Sequence, residues 1–216
     1  MTCTRARRAS TRSCSWRTGC SVRAEPVTLE GRLVRLVPLV LAHAEPLSAI
    51  GLDADLWKWT WSGVATADDM RRYVETALAE QAAGLSLPLA ILERAGGRVI
   101  GSTRYGNIAL AHRRLEIGWS WLGKPWQRTG ANVETKLLLL THAFESLGCQ
   151  RVEFKTDAAN EPSRRALLGI GAQFEGIFRK HGLATDGRVR DTAWYSIVDD
   201  EWPAVKARLL KRLRAR

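Results

Sequence analysis

The stretch WQRTGANVETK, Trp126 to Lys136, contains a bend just before a long helical pattern. A glycine and small polar residues separate an aromatic-rich run from a long apolar helical pattern. Such a bend leaves the first backbone N–H groups of the helix unpaired and directed at the loop. A helix N-terminus favours anions, and Gly130 would let the main chain approach a ligand closely. The stretch therefore predicts either an ordinary helix start or a phosphate-binding bend.

The regions on both sides of this bend predict alternating strands and helices. Hydrophobic periodicity, capping residues and turn dipeptides set the boundaries. The predicted strands cover 33–39, 87–93, 98–105, 114–122, 151–156, 174–181 and 189–198. The predicted helices cover 42–50, 66–84, the apolar segment that ends at Gly148, and 160–171. This order, β α α β β β α β α β β, is typical of a mixed α/β domain.

The predicted strand RLEIGWSWL, Arg114 to Leu122, alternates in hydrophobicity. Successive strand residues point to opposite faces, so one face would carry Leu115, Ile117, Trp119 and Trp121. The other face would carry Glu116, Gly118 and Ser120. The pattern thus predicts a carboxylate that projects from a central strand.

The formal net charge of +11 is concentrated at the two ends of the chain. Residues 1–24 hold six arginines and no acid, and residues 206–216 hold six cations, which leaves 21 cations against 22 acids in 25–205. We expect a basic disordered extension over 1–24, a domain over 25–205 and a basic tail over 206–216. Nucleic-acid binding is disfavoured, because it needs cations on a folded face. The remaining alternative is a protein that binds nucleic acid through its basic tails.

The cysteines and histidines indicate neither disulfides nor a metal site. Three of the four cysteines lie in residues 1–24, only Cys149 lies in the body, and the four histidines lack ligand spacing. The first residues have no continuous apolar run of the kind that a signal peptide or membrane helix requires. We therefore expect a cytoplasmic protein with no metal and no membrane partner.

The bend resembles the acyl-CoA loop of the GNAT acyltransferase superfamily, [Q/R]-x-x-G-x-[G/A], with Gln127, Gly130 and Asn132 at the three marked positions. Asn132 departs from the usual small residue, which puts the close approach there in doubt. Matching pieces follow in order across Pro26 to Val205: LEIGWSWL, VEFKTDAANEPS, GAQFEG and RDTAWYS. The chain is especially similar to the ribosomal-protein N-acetyltransferase branch. This resemblance implies a mixed, mostly antiparallel sheet flanked by helices, with central strands that splay apart and admit acyl-CoA.

The resemblance also implies how acetyl-CoA would be held. Its pyrophosphate would lie on backbone N–H groups of the loop, with Arg128 a further partner for a phosphate. The pantetheine arm would follow the strand that ends at Trp121 and Leu122, and Asn160 would bind this arm, cap the next helix, or do both. The implied loop residues are Gln127, Arg128, Thr129, Gly130, Ala131 and Asn132.

Acetyl transfer to an amine requires that a proton leave the nucleophile and that the departing thiolate be stabilised. The resemblance makes Glu116 the general base, unless it is only a strand-end carboxylate paired with a neighbour such as Arg114. Asp191 is the second candidate for this base and is also expected to contact the substrate. Ser163 is implied as the hydroxyl that faces the sulfur, although a serine in the first turn of a helix is also a common capping residue.

The alternating residues Trp57, Trp59 and Trp61, together with Trp126, predict either an aromatic wall for the acceptor or a core patch under a loop. We expect an N-acetyltransferase that transfers an acetyl group to a primary amine, a protein N-terminus or a small molecule, by direct attack in a ternary complex. The alternative is a catalytically silent acyl-CoA-binding module that acts as a sensor or scaffold. The acceptor and the formation of a homodimer stay open.

Overall fold

Eight strands form one sheet in residues 25–215, the part of the chain described by this computed structural model. The expectation for the extension 1–24 lies outside these residues. The order across the sheet is β1-β2-β3-β4-β5-β6-β8-β7. The strands are β1 Leu29–Glu30, β2 Val34–Pro38, β3 Leu87–Glu93, β4 Val99–Ala109, β5 Arg114–Leu122, β6 Arg151–Asp157, β7 Gln173–Leu183 and β8 Val189–Val198. The mixed α/β fold is therefore confirmed.

The sheet is antiparallel except at β5 and β6, which run parallel through only three paired positions. The pairing begins at Arg114 with Arg151 and ends at Glu116 with Glu153. Beyond Glu116 the strands part, while β4 continues to pair with β5 as far as Leu122. The sheet therefore opens at its centre, as the resemblance implied, directly after the carboxylate at position 116.

The expected alternation along β5 is wrong from Trp119 onward, because the strand carries a bulge. Arg104 pairs with Gly118 and Ser102 pairs with Trp121, so β5 contains one more residue than β4 between these pairs. Trp119 takes a φ of 49°, and the extra residue shifts the pleat. As a result, Trp121 joins a different core from Leu115 and Ile117.

Helices cover parts of both faces of the sheet. They are α1 Ala44–Gly51, α2 Ala54–Trp57, α3 Ala67–Ala82, α4 Ala131–Thr141, α5 Glu161–Ile170 and α6 Trp202–Arg214. One core contains apolar residues of α4, α5 and α6, and a smaller core contains those of α1, α2 and α3. Thr66 caps α3 through a reciprocal capping box with Asp69, as the sequence predicted. None of the described helices is long and apolar enough to cross a membrane.

The expected basic tail over 206–216 is corrected by the structure, because residues 206–214 belong to helix α6. Its buried residues Val205, Leu209 and Leu213 recur every four positions and form one apolar stripe. This stripe joins the core that contains α4, while most of the cations lie on the solvent side. The domain thus extends to the end of α6, and the dense positive charge had hidden an ordinary amphipathic helix.

Candidate functional site

The bend before α4 is shaped by two residues with positive φ. Arg128 has φ 63° and Gly130, the N-cap, has φ 105°. The first intrahelical bond runs from Glu134 N–H to Gly130 O at 3.0 Å, so the preceding N–H groups lie at the open end of the helix. Gln127 Nε2 donates to Leu122 O at 3.0 Å, and Thr129 Oγ1 donates to Trp126 O at 2.7 Å. These two side chains fix the loop. The Gln127 N–H donates to Lys124 O at 3.2 Å and the Ala131 N–H to Thr129 Oγ1 at 3.4 Å, so an anion at this bend would compete with Thr129 for the amide of Ala131.

A narrow cavity of about 120 Å³ leads from this helix end into the gap between β5 and β6. Asn132, in the first turn of α4, lines it at one side, and Ser163 of α5 lines it at the other. Strand residues Gly118, Trp119, Ser120 and Lys155 also line a second, larger cavity, as does Ser163. The two cavities therefore share wall residues, and together, as what we call the path, their linings extend from the first turn of α4 to Glu116.

Lys136 is a buried cation that our sequence analysis did not single out. It lies four residues after Asn132 on α4, lines the narrow cavity, and is 5% exposed. Its Nζ donates to Ser120 Oγ at 2.7 Å, and Ser120 Oγ also lies 2.7 Å from Thr103 Oγ1. Burial lowers the pKa of Lys136 to about 7. The spacing of four from Asn132 was the available signal, since it puts both side chains on one helix face.

The larger cavity, about 360 Å³ in volume, brings together seven of the predicted site residues. It lies between strands β5 and β6, the tryptophan-rich segment 57–61 and the beginning of α5. The predicted residues that line it are Trp57, Trp59, Trp61, Glu116, Trp121, Asn160 and Ser163. Residues that are distant in sequence therefore meet where the central strands part.

Glu116 is held by one of its two carboxylate oxygens. Lys155 Nζ lies 2.8 Å from Oε2, and Asn107 Nδ2 donates to the same atom at 2.5 Å. Within residues 25–215, Oε1 has no hydrogen-bond partner. A Cβ at Gly118 would lie 3.1 Å from Oε1, so this glycine keeps open the space beside that oxygen. The carboxylate is thus oriented with a free acceptor toward the bulge, and Arg114 pairs with Glu153 instead.

Asn160 caps α5, as one reading of the sequence predicted. Its Oδ1 accepts the backbone N–H of Ser163 at 3.1 Å, and its side chain also belongs to the cavity wall. The Ser163 hydroxyl has no hydrogen-bond partner among the described residues. Capping therefore leaves the hydroxyl of Ser163 available at the junction of the two cavities.

The three tryptophans of segment 57–61 have different environments. Trp57 is 5% exposed, donates its indole N–H to Gly51 O at 2.6 Å, and packs edge-on against Tyr73. Trp59 is half-buried and Trp61 is 43% exposed, so the core-patch reading holds for Trp57. All three line the cavity. Trp126 does not contribute to this wall, because its indole N–H binds Glu93 Oε2 at 2.9 Å on another part of the surface.

Two expected contacts are absent from the described cavity wall. Asp191 accepts the backbone N–H of Lys180 at 2.7 Å through its carboxylate, where β7 and β8 shift register. It therefore stabilises an irregular hairpin and does not line either part of the path. The side chain of Leu122 is buried in the core that contains α4, so only its backbone faces the loop, through the bond to Gln127.

Several residues of the larger cavity were not predicted from the sequence: Tyr73, Asn107, Lys155, His181 and Arg190. Lys155 lies two positions after Glu153, and the parallel register that pairs Glu153 with Glu116 places it on the same face. The sequence RVEFKT alternates polar and apolar residues, so Lys155 could have been predicted to lie near Glu116 if the two strands had been assumed to be neighbours. The others come from elements whose approach depends on tertiary packing.

An open parallel pair, a helix end suited to an anion and an oriented carboxylate are the features that the resemblance to acetyltransferases implied. The chain belongs to the GNAT acetyltransferase family, because the model of the Acetyltransferase (GNAT) domain matches residues 33–173. It is 40% identical to an acetyltransferase structure from T. thermophilus, over 89% of this chain and 100% of that one, with a TM-score of 0.80.

Two further relatives connect the chain with named members of the family. It is 26% identical to Mycobacterium smegmatis RimJ, solved in complex with CoA-disulfide, with a TM-score of 0.75 over 88% of this chain and 96% of that one. YdaF of Bacillus subtilis, whose name makes it a candidate ribosomal N-acetyltransferase, is 33% identical over 51% of this chain and 59% of its own length. The matches cover 55% and 59% of the first two curated relatives.

In residues 25–215, no group of three His, Cys, Asp or Glu residues could hold a metal ion.

Proposed function

We propose that the protein transfers the acetyl group of acetyl-CoA to a primary amine by direct attack in a ternary complex. The observation that carries this proposal is the path from the N-terminus of α4, through the parted strands, to Oε1 of Glu116. Such a path lets a thioester arm and an amine meet from opposite ends. Holding two reactants in this way supplies a large share of the rate enhancement of a transferase.

The residues of the bend fit the anionic end of acetyl-CoA. Of the main-chain amides from Gln127 to Asn132, those after Gln127 would bind the pyrophosphate, because the Gln127 N–H is already bonded to Lys124 O. The Ala131 N–H would exchange its 3.4 Å contact with Thr129 Oγ1 for a phosphate oxygen. The narrow cavity beside Asn132 would hold the pantetheine arm, because it continues from this helix end between β5 and β6. Asn132 lines that cavity as a half-buried residue, so the departure from a small residue still leaves a route along the helix end.

Acetyl-CoA supplies an activated acetyl group, and the chain must supply proton transfer. An amine with a pKa near 10.4 is neutral in only about one molecule in 2,500 at pH 7. Glu116 would accept the surplus proton of the acceptor through Oε1, directly or through a water, while Lys155 and Asn107 hold Oε2. Such proton transfer contributes on the order of 100- to 10,000-fold in rate.

The leaving thiolate would be stabilised where the two cavities meet. Ser163 contributes a hydroxyl there, and the buried ammonium of Lys136 lies along the wall of the narrow cavity. A cation in a poorly solvated site stabilises a developing negative charge more strongly than one in water. We assign the hydrogen bond to the sulfur to Ser163 and the longer-range electrostatic support to Lys136.

The acceptor would enter the larger cavity along Trp59 and Trp61. A protein N-terminus is one acceptor class, supported by the ribosomal assignment in the name of YdaF. A small-molecule amine is the other, and the cavity volume of about 360 Å³ accommodates it whole. We place the reaction in the cytoplasm, a setting that suits the free, buried Cys149.

A thiol-release assay tests this function. The full chain is mixed with acetyl-CoA and, separately, with peptide, amino-acid, polyamine and aminoglycoside acceptors, and free CoA is measured. We expect acceptor-dependent release with at least one class, with one acetylated product formed per CoA. Binding of acetyl-CoA in calorimetry without release by any amine would instead establish the silent acyl-CoA-binding module, and the proposed catalysis would be wrong.

A further inference from the structure

The larger cavity carries an excess of positive charge. Its acidic and basic wall residues, apart from His181, are Glu116, Lys155 and Arg190. Glu116 and Lys155 neutralise each other across 2.8 Å. Asp157, which lies behind Arg190, is bound by Arg188 at 2.6 Å and lies 3.9 Å from Arg190 Nε. Asp157 therefore compensates Arg190 only in part, because it is shared with Arg188, and the two arginines leave one positive charge in excess.

Arg190 is buried and uses few of its donors. The residue is 3% exposed, and its Nη1 donates to Trp59 O at 3.2 Å. Its Nε is buried without a hydrogen-bond partner, and Nη2 has none within residues 25–215. The guanidinium lies over the ring of Trp61, 4.0 Å from its centre, which fixes the plane of the group. A buried charge of this kind is costly unless a counter-charge binds it.

We infer that the acceptor is an amine that also carries a carboxylate, which binds Arg190 while the amine faces Oε1 of Glu116. This inference rests on the proposed function and specifies its acceptor. A guanidinium recognises a carboxylate through parallel N–H donors, and Nη2 supplies the accessible one here. The half-buried ring of Trp59 and the exposed ring of Trp61 would contact the apolar part of the molecule.

The same charges exclude polycationic acceptors. A polyamine or an aminoglycoside would bring several ammonium groups into a cavity in which Arg190 shares the carboxylate of Asp157 with Arg188, and Glu116 is already paired with Lys155. Like charges at short range in a poorly solvated site repel strongly. A zwitterionic amine adds one charge of each sign and offers the negative one to Arg190, so the cavity selects it on electrostatic grounds.

The test compares matched acids and carboxamides as acceptors. With acetyl-CoA and the full chain, kcat/KM is measured for phenylalanine and other amino acids, each beside its carboxamide. Peptides with an acidic or an amide second residue form a second arm, which separates a free amino acid from a protein N-terminus as the source of the carboxylate. For the amino acid that is turned over best, we expect kcat/KM to exceed that of its carboxamide at least tenfold. This is the order of magnitude expected for one charge-assisted hydrogen bond.

The Arg190→Gln variant tests whether Arg190 causes the preference for acids over carboxamides. The variant should bring the acid-to-carboxamide ratio close to one, whereas Arg165→Gln, at an exposed position of α5, should retain the ratio of the unsubstituted chain. If Arg190→Gln fails to fold, the comparison in the unsubstituted chain decides alone. Equal turnover of acids and carboxamides, or a preference for polyamines, would overturn the inference while leaving the acetyltransferase function intact. No turnover of any amine would instead refute the proposed function.

Discussion

Glu116→Gln is expected to lower kcat for amine acetylation by about 100- to 10,000-fold, the range that a general base contributes. Glutamine keeps the shape of the side chain but cannot take a proton from the attacking ammonium. The affinity for acetyl-CoA should change little, because the bend at Gly130 lies at the other end of the path. Single-turnover acetylation, measured beside calorimetric binding of acetyl-CoA, separates the two effects.

Glu153→Gln is the matched control for this variant. Glu153 pairs in register with Glu116 on the adjacent strand, is similarly buried, and forms ion pairs with Arg151 and Arg114. Both variants therefore lose a buried carboxylate and should lose comparable stability. Only Glu116→Gln should lose the chemical step. Equal turnover in the two variants would remove Glu116 from the mechanism.

Lys136→Met is expected to raise the free energy of unfolding at pH 7 by up to about 5 kcal/mol. The pKa of Lys136 falls from an ordinary 10.5 to about 7 because the ammonium is buried, and each pH unit corresponds to about 1.4 kcal/mol. Burial of the charge therefore destabilises the native chain, and methionine fills the same space without a charge. At neutral pH, the same change should slow turnover, because the cation beside the thioester path is lost.

The stability difference between Lys136→Met and the unsubstituted chain should decrease as pH rises. Between pH 7 and 10.5 the unfolded chain holds a proton on Lys136 that the native chain has released, so the unsubstituted protein gains stability as pH rises. The advantage of Lys136→Met should therefore shrink steadily over this range. Tyr105 and Cys149, whose pKa values burial raises, are present in both proteins and cancel in the difference.

Chemical denaturation at several pH values measures this difference, with the exposed Lys211→Met as control. The control should differ from the unsubstituted chain by the same small amount at every pH. A constant gap between Lys136→Met and the unsubstituted chain from about pH 7 to 10 would show that Lys136 is charged and stabilised in the folded protein.

Local signals in the sequence were sufficient for most of the fold. The capping box at Thr66, the N-cap at Asn160 and the turn at Asp186-Gly187 depend on residues a few positions apart, and each lies where the pattern indicated. The bulge at Trp119 was not predictable in this way. It arises from the pairing of β5 with β4, and a strictly alternating pattern carries no sign of an inserted residue.

The candidate site was predictable only where a family motif or a strand pattern marked the residue. Glu116, Asn160 and Ser163 meet in one cavity as the resemblance implied. The sequence did not predict Lys136 and Arg190 as site residues, because both are important only as buried cations. Their burial depends on how the surrounding helices and strands pack. Asp191 is the opposite case, because the sequence predicted it as a site residue. In the structure its carboxylate instead accepts the backbone N–H of Lys180 on the neighbouring strand.

The proposed function requires that main-chain donors at the turn entering α4 bind the pyrophosphate of acetyl-CoA. Calorimetric titration of acetyl-CoA into Gly130→Ala and Gly187→Ala tests it most directly, because both glycines have positive φ, 105° and 78°, and only Gly130 lies at this turn. A side chain at such a φ strains the backbone by about 1–2 kcal/mol and would rotate the amides away from the loop. We predict at least a tenfold loss of affinity in Gly130→Ala and unchanged affinity in Gly187→Ala. Equal affinity in both variants, or no binding of acetyl-CoA by the unsubstituted chain, would contradict the claim.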